Sequence, residues 1–196
     1  EDHAPGRDLL LSCGRAAGDI AIRIVDEMGR DVAAGQTGEI VVSGSINMAG
    51  YAADATATAA TIRDGWLHTG DAGYLDDHGY LFIRDRVKDM IVSGGENIYP
   101  VEVENALLEH ADVADAAVIG IPDDRWGEAV LAVIVPAAGS IRDAQDILDF
   151  CRGRIAAYKC PKTIRFADAV PRNAAGKILR REIRKPFWND RDRKVG

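Results

Sequence analysis

The sequence predicts an α+β fold, and two patterns carry that expectation. Up to about residue 85, short apolar alternations are separated by turn-forming residues, which is a β signature. After residue 90, strand-like and helix-like runs alternate over about 110 residues, a common domain size.

Taken in order, Ile20, Ile22 and Ile24 alternate with Ala21, Arg23 and Val25. The turn-forming DEMGR follows and EIVVS resumes at Glu39, so residues 18–43 read as β structure. Asp54 can cap the free N–H groups of a short helix, DATATAATI. Apolar positions flank DDHG at 76–79, whose Asp and Gly suit a reversal, so 72–84 reads as a hairpin. Met90 to Ser93 forms a strand that runs into Gly94 and Gly95. Pro100 suits the first turn of a helix, since its missing N–H has no partner to lose there. That helix should reach about His110. Strands at 113–121 and 128–135 are each closed by a proline, Pro122 and Pro136. From Asp143 to Ile155, the residues Ile147, Leu148, Cys151 and Ile155 fall on one helical face. A strand at 163–167, a polar loop around Gly176 and a basic terminal helix complete the order.

Composition excludes several classes. At 196 residues and 47% hydrophobic, the chain can bury a core without cross-links. Its longest apolar run, Ala129 to Ala138, is broken by Pro136 and far too short to span a bilayer. The first residues, EDHAPGRD, lack the basic-then-apolar pattern of a signal peptide, and the absence of an initial Met agrees with an internal start. Cys13, Cys151 and Cys160 have no metal-type spacing, and their odd number argues against a disulfide framework. No metal ligands are therefore expected within the chain, and a reducing cytoplasm is the expected location.

The net charge of −7 hides an asymmetry, because 14 of the 24 basic residues follow Cys151, against four acidic ones. Such a tail reads as a solvated face or as a local field for a polyanionic small molecule. Nucleic acid is not expected as a partner, because the aromatic residues that interleave with the basic ones in single-strand binders are missing.

Three segments carry more specific information: WLHTGD at 66–71, RDRVKDMIVSGGENIYPVEVE at 84–104 and PRNAAGKILRRE at 171–182. In this order and spacing they resemble three motifs of the adenylate-forming superfamily, which contains acyl-CoA synthetases, nonribosomal peptide adenylation domains and firefly-type luciferases. The resemblance covers essentially the whole chain but only the C-terminal part of such an enzyme. The family's Ser/Thr/Gly-rich phosphate loop and Tyr-Gly-x-Thr-Glu segment do not occur in the sequence. The resemblance implies a boundary near Arg86 to Asp89. Residues 1–86 would be the C-terminal part of the N-terminal AMP-binding domain, a distorted β-barrel region. Residues 87–196 would be the small mobile C-terminal domain.

Adenylation joins a carboxylate to the α-phosphate of ATP, so the protein's task is positioning and fixed positive charge. Lys177, after Gly176, can supply such a charge, although a surface lysine beside a turn glycine would look the same locally. By resemblance it is the catalytic lysine that contacts the substrate carboxylate and the α-phosphate of ATP. The Asp71 carboxylate can accept two hydrogen bonds, which suits the vicinal hydroxyls of a ribose. A lone Asp after Gly is otherwise a turn former. The resemblance gives Asp71 and Arg86 to the ribose of ATP or AMP; the local alternative for Arg86 is an ion pair with Asp85 or Asp89. His68 reads as structural, because the substrate carboxylate is already ionised and needs no general base.

The resemblance also makes Lys88 the hinge on which the small domain rotates between adenylation and thioester formation. An exposed polar residue suits a torsional change of that kind. Gly94 and Gly95 allow close backbone approach to a ligand, and the matching family loop turns toward the active site for the second half-reaction. A plain hairpin turn explains the two glycines equally well. DDRWGEAV at 123–130 resembles the acyl- and aryl-CoA ligases, which makes Trp126 an adenine-stacking candidate for CoA, with Tyr158 in AAYKCPK as its partner. A core or interface tryptophan is the alternative. Some relatives place an Arg for a CoA phosphate where Cys160 stands, so Lys159 or Lys162 would have to serve.

These residues imply an ATP-dependent acyl-CoA ligase acting on a small-molecule carboxylic acid, fatty or aromatic, with ATP and CoA as co-substrates. Mg²⁺ is implied with ATP, its associated Glu belonging to a part of the family pattern that this sequence does not carry. An adenylation domain serving a carrier protein is the enzymatic alternative, and a non-enzymatic binding module is the other. A homodimer is also admitted, and the chain by itself is expected to be inactive.

Overall fold

The computed structural model describes residues 9–188, which fall into two compact units that divide between Val87 and Lys88. The first contains β1 (Ala21–Val25), β2 (Gly38–Ser43), α1 (Ala55–Thr61), β3 (Ile62–Arg63), β4 (Trp66–Leu75) and β5 (Leu81–Arg86). Its strands form one antiparallel sheet in the order β1-β2-β4-β3, with β5 also on β4. The expected β1–β2 reversal is present. The Asp26 carboxylate accepts from the backbone N–H groups of Met28 and Arg30 at 2.9 and 3.0 Å and tightens the turn. Ile24, Ile40 and Leu81 form the buried centre, with Ile22, Val32, Val42 and Leu75 packed around them. Asp54 caps α1 as expected, its carboxylate accepting from the Ala57 N–H at 2.8 Å. Asp76 closes the β4–β5 turn by accepting from His78 and Tyr80. The first strand of that hairpin starts earlier than residue 72. WLHTGD is itself the beginning of β4, paired along one side with β2.

The second unit contains β6 (Ile91–Ser93), β7 (Glu96–Ile98), α2 (Pro100–Leu108), β8 (Val113–Asp123), β9 (Gly127–Pro136), α3 (Ala144–Arg152), β10 (Thr163–Phe166) and α4 (Arg180–Arg184). The strand order is β10-β9-β6-β7, with β8 on the other side of β9. The β8–β9 hairpin is the centre of this unit, and it is buried on both faces. Ala116, Val118, Val130, Ala132 and Ile134 face the side covered by α2 and α3, together with Leu107, Ile147 and Cys151. Ala117, Ile119, Leu131 and Val133 face the opposite side, against Val170, Ile178, Ile183 and Phe187. A strand buried on both faces needs no polar alternation, which is why Ala129 to Val135 reads as a continuous apolar run.

Three boundaries differ from expectation. The hairpin continues through Pro122, which pairs with Glu128, and closes at Asp123 opposite Gly127. Among the described residues β8 has a strand neighbour on one side only, and proline's missing N–H is tolerated at such an edge. α3 stops at Arg152, where Gly153 follows and helix propensity falls. Ile155, beyond the helix, still packs on the same core. The terminal helix is short: α4 has five residues, then a 3-10 turn over Lys185–Phe187 that contains Pro186. Residues 189–196 of the basic tail lie outside the described residues.

The N-cap of α3 gives the first test. Asp143 accepts from the backbone N–H groups of Gln145 and Asp146 at 2.9 and 3.2 Å. Asp143→Ala should destabilise the second unit by about 1 kcal/mol. Denaturant unfolding should show a lower midpoint with an unchanged slope; an unmoved midpoint would mean the cap carries no stability.

Candidate functional site

The WLHTGD segment is a strand with a bulge in it. Val41 pairs with His68 and Glu39 with Ala72, so Ile40 alone stands opposite Thr69, Gly70 and Asp71. The surplus residues are fastened individually. Thr69 Oγ1 donates to the Ile40 carbonyl at 2.8 Å and accepts from the Asp71 N–H at 3.1 Å. Glu39 holds two points at once: Oε1 accepts from the Gly70 N–H at 3.1 Å, and Oε2 lies 2.7 Å from His68 Nδ1. Gly70 adopts φ +70°, a conformation that costs little only for glycine. His68 and Glu39 thus shape the bulge, and Glu39 was not singled out from the sequence.

Past the bulge, Asp71 lies directly across the ladder from Arg86. Arg86 Nε donates to Asp71 Oδ1 at 2.7 Å, with the two side chains 49% and 31% exposed. An ion pair so exposed adds little stability, so its groups can exchange one another for a ligand's hydroxyls at small cost. Asp85 is buried by strand alternation and accepts from the Arg86 backbone N–H at 2.7 Å.

Lys88 is exposed and sits in a 3-10 turn, Val87–Asp89, between β5 and β6. The next residue is firmly held. Asp89 pairs with Arg184 at 2.5 Å and lies 3.9 Å from Arg180. Arg180 in turn pairs with Glu104 of α2 at 2.6 Å, and Glu104 accepts from the Val118 N–H at 2.8 Å. Arg184 also donates to the Lys88 carbonyl at 3.4 Å. These four side chains are only 7–13% exposed, so this part of the basic tail is not a solvated face. Arg180 and Arg184 stand four apart on one side of α4, where they meet two carboxylates, while Arg181 stays exposed.

Gly94 and Gly95 form the two-residue turn of the β6–β7 hairpin, with Ser93 opposite Glu96. Their φ angles of +63° and +88° suit the mirror-image turn that matches strand twist. Trp126 lies against this turn. Its carbonyl accepts from the Gly94 N–H at 2.8 Å, and a Cβ on Gly94 would come within 2.7 Å of its ring. Gly95 has open space beside it. Three of the four thiol-site candidates are therefore adjacent, with Trp126 41% exposed and Arg125 over its ring at 4.6 Å. Tyr158 is 43% exposed, and no ring contact joins it to Trp126. Of the two substitute cations, Lys159 is engaged by Glu102 at 2.6 Å, whereas Lys162 is exposed. Cys160 is buried beside Cys151, where desolvation and the neighbouring thiol push the Cys151 thiol up to about 12. Both side chains are buried among apolar neighbours of the core.

Lys177 ends a tight turn. Asn173 Oδ1 accepts from the backbone N–H groups of Ala175 and Lys177 at 3.0 and 2.9 Å, and Gly176 takes φ +78°. Arg172 fixes the turn from below through the Gly176 carbonyl at 2.8 Å and Asp115 of β8 at 2.7 Å. The Lys177 side chain is exposed and makes no ion pair with any described residue. Among the described residues, no group of three His, Cys, Asp or Glu side chains could hold a metal ion. None of their helices is long and apolar enough to cross a membrane.

Residues 102–177 match the family model of the AMP-binding enzyme C-terminal domain. The chain is 46% identical, over 98% of its length, to the fatty acid–[acyl-carrier-protein] ligase ScoC of Streptomyces coeruleorubidus. The chain belongs to the adenylate-forming superfamily. It is also 50% identical, over 88% of its length, to the indoleacetate–CoA ligase of Aromatoleum aromaticum. Among solved structures it is similar to the o-succinylbenzoate CoA synthetase of Bacillus subtilis in complex with the acyl-adenylate intermediate. That similarity has a TM-score of 0.81 at 39% identity and covers 95% of this chain and 37% of that one. The chain spans 37% and 34% of the lengths of the two curated relatives.

The two turn glycines should respond differently to a side chain. Both need positive φ, but only Gly94 faces the Trp126 ring. Gly94→Ala should therefore destabilise by more than Gly95→Ala, which should itself cost about 1 kcal/mol. Equal melting temperatures for the two variants would show that Trp126 yields freely.

Proposed function

We propose that this chain forms the C-terminal part of an ATP-dependent acid–thiol ligase that makes an acyl-adenylate and transfers the acyl group to CoA. The observation that carries the proposal is the Asp71–Arg86 pair. A fastened bulge presents it to solvent at the last ladder position before the boundary between the two compact units. In this reading residues 1–86 belong to the AMP-binding domain and 87–196 to the mobile one.

In the first half-reaction a substrate carboxylate oxygen attacks the α-phosphorus of ATP, and pyrophosphate leaves with the bonding electrons. Asp71 accepts from the ribose hydroxyls and Arg86 donates to them, which orients the nucleotide. Lys177, with no competing ion pair among the described residues, neutralises charge on the carboxylate and the α-phosphate as the bond forms. Mg²⁺ would accompany ATP, but the described residues offer it no ligand set, so no step here depends on it. In the second half-reaction the thiol sulfur attacks the acyl carbonyl, the thiol proton is lost and AMP departs. Lys88 serves as the hinge between the steps. Its exposed position lets its torsions change without stripping buried contacts. Gly95 leaves room for the pantetheine arm, while Trp126, packed on Gly94, and separately Tyr158, offer exposed rings to the CoA nucleotide.

A carrier-bound thiol is the second reading, favoured by the similarity to ScoC, whose name gives an acyl-carrier-protein ligase. Both thiols are phosphopantetheine, so the same hairpin would serve either. Supplying pre-made acyl-adenylate with CoA or with a holo carrier protein separates them.

In the full-length enzyme, Lys177→Ala should lower pyrophosphate exchange by two orders of magnitude or more, about 3 kcal/mol of transition-state stabilisation. Thioester formation from pre-made acyl-adenylate should persist. Equal loss of both steps would falsify the assigned role. Lys88→Pro tests the hinge, because proline fixes φ near −65°. One half-reaction should be lost and the other kept, with the melting temperature nearly unchanged. Loss of both together, or a collapsed melt, would remove Lys88 from the hinge.

A further inference from the structure

Two parts of the second unit that the ligase reading uses are attached to the hinge in different ways. The Gly94–Gly95 hairpin follows it directly along the chain, since β6 begins at Ile91. The Lys177 turn is distant in sequence and precedes α4, which has five residues and no side-chain cap. A helix that short does not hold itself together. Ile183 and Phe187 lean on the sheet, but the polar side of α4 is fixed by Arg180 and Arg184.

Arg184 grips a particular piece of backbone. It pairs with Asp89 at 2.5 Å and donates to the Lys88 carbonyl at 3.4 Å. That carbonyl belongs to the peptide plane joining Lys88 to Asp89. Rotation about either φ or ψ of Lys88 carries this plane along with everything downstream. Arg184 therefore clamps α4 to the first rigid plane beyond the swivel, and the contact survives any rotation at Lys88. Arg180 braces the same carboxylate at 3.9 Å and ties it through Glu104, at 2.6 Å, to α2 and the Val118 N–H. Two positive and two negative side chains, all nearly buried, balance in charge, and such a set depends strongly on its geometry.

We propose that Arg184, braced by Arg180, is a positioning residue that couples rotation at Lys88 to the placement of Lys177. The inference rests on the ligase reading above. It implies a selective defect. Without the clamp, the hairpin still follows the hinge through β6, while α4 loses its tie to the hinge plane and the lysine turn before it keeps only its Arg172 anchor to β8. Arg184 thus supports adenylation and is dispensable for thioester formation.

The test uses the full-length enzyme, with Arg184→Gln, Arg184→Lys, Lys177→Ala and the Lys177→Ala/Arg184→Gln double variant. Pyrophosphate exchange reads adenylation, and CoA release of pre-made acyl-adenylate reads the second step. Arg184→Gln should reduce the kcat of exchange at least tenfold with little change in the KM for ATP, and should leave thioester formation within twofold. Arg184→Lys, which keeps the charge, should recover part of the loss. In the Lys177→Ala background the Arg184→Gln effect should disappear, because two residues acting as one unit are not additive. A loss shared by both half-reactions, or a full Arg184→Gln penalty without Lys177, would show a merely structural role. If Arg184→Gln does not fold, Arg184→Lys decides: a selective, partial adenylation defect supports the clamp, and an unselective one overturns it. A normal exchange rate in Lys177→Ala alone would refute the ligase reading of that lysine, and the coupling with it.

Discussion

Residues of β8 and β9 pair from Val113 opposite Pro136 to Asp123 opposite Gly127, with successive side chains buried on opposite faces. The second unit is built outward from that ladder. Leu131, Ala132 and Ile134 are fully buried, and each large aliphatic side chain so placed contributes about 1.5–3 kcal/mol. One face receives α2 and α3, and the other receives the C-terminal segment with α4. The functional candidates sit on this frame rather than in it. Trp126 lies in the turn that closes the ladder, and Arg172 anchors the lysine turn to Asp115 of β8. Rigid strands thus carry the exposed turns, which is how a loop residue acquires a fixed position.

The first unit solves a different problem with a smaller core. A strand paired on both sides normally cannot aim a side chain away from its ladder. β4 does so by inserting surplus residues opposite Ile40 and giving the Ile40 carbonyl and the Gly70 and Asp71 N–H groups local side-chain partners. Glu39 is central because a single carboxylate fixes both His68 and the Gly70 N–H. A bulge fastened in this way re-aims a residue without loosening the strand. The outcome is a carboxylate and a guanidinium paired with each other but open to solvent.

Charge is used in two opposite ways in the second unit. Lys177 has no ion-pair partner among the described residues, so its field is available to an anion. Arg180 and Arg184 are neutralised by Glu104 and Asp89 and nearly buried, so theirs is spent on fixing geometry. A net charge of +10 after Cys151 does not distinguish these uses. Only the facing residues do, and they come from positions about 75 to 95 residues away in the chain.

The sequence by itself determined most of the order of elements, the α+β class and the family. Local chemistry controls these: Asp54 and Asp143 as caps, DDHG as a turn, Pro100 as a helix start, and two motifs around Gly. It also offered Asp71, Arg86, Lys88 and Lys177 as site candidates, but only through resemblance, since each has an ordinary local explanation. It did not yield β7, the continuation of β8 through Pro122, or the early end of α3. The two strand features depend on which neighbour is present across a ladder, and Pro122 is acceptable because β8 lies at an edge of the described sheet, whereas α3 ends at Gly153. Tertiary structure alone placed Glu39 under the bulge, set Trp126 against Gly94 and turned Arg180 and Arg184 inward. The physical reason is the same in each case: a side chain's role was set by a partner remote in sequence, and no local pattern encodes that partner.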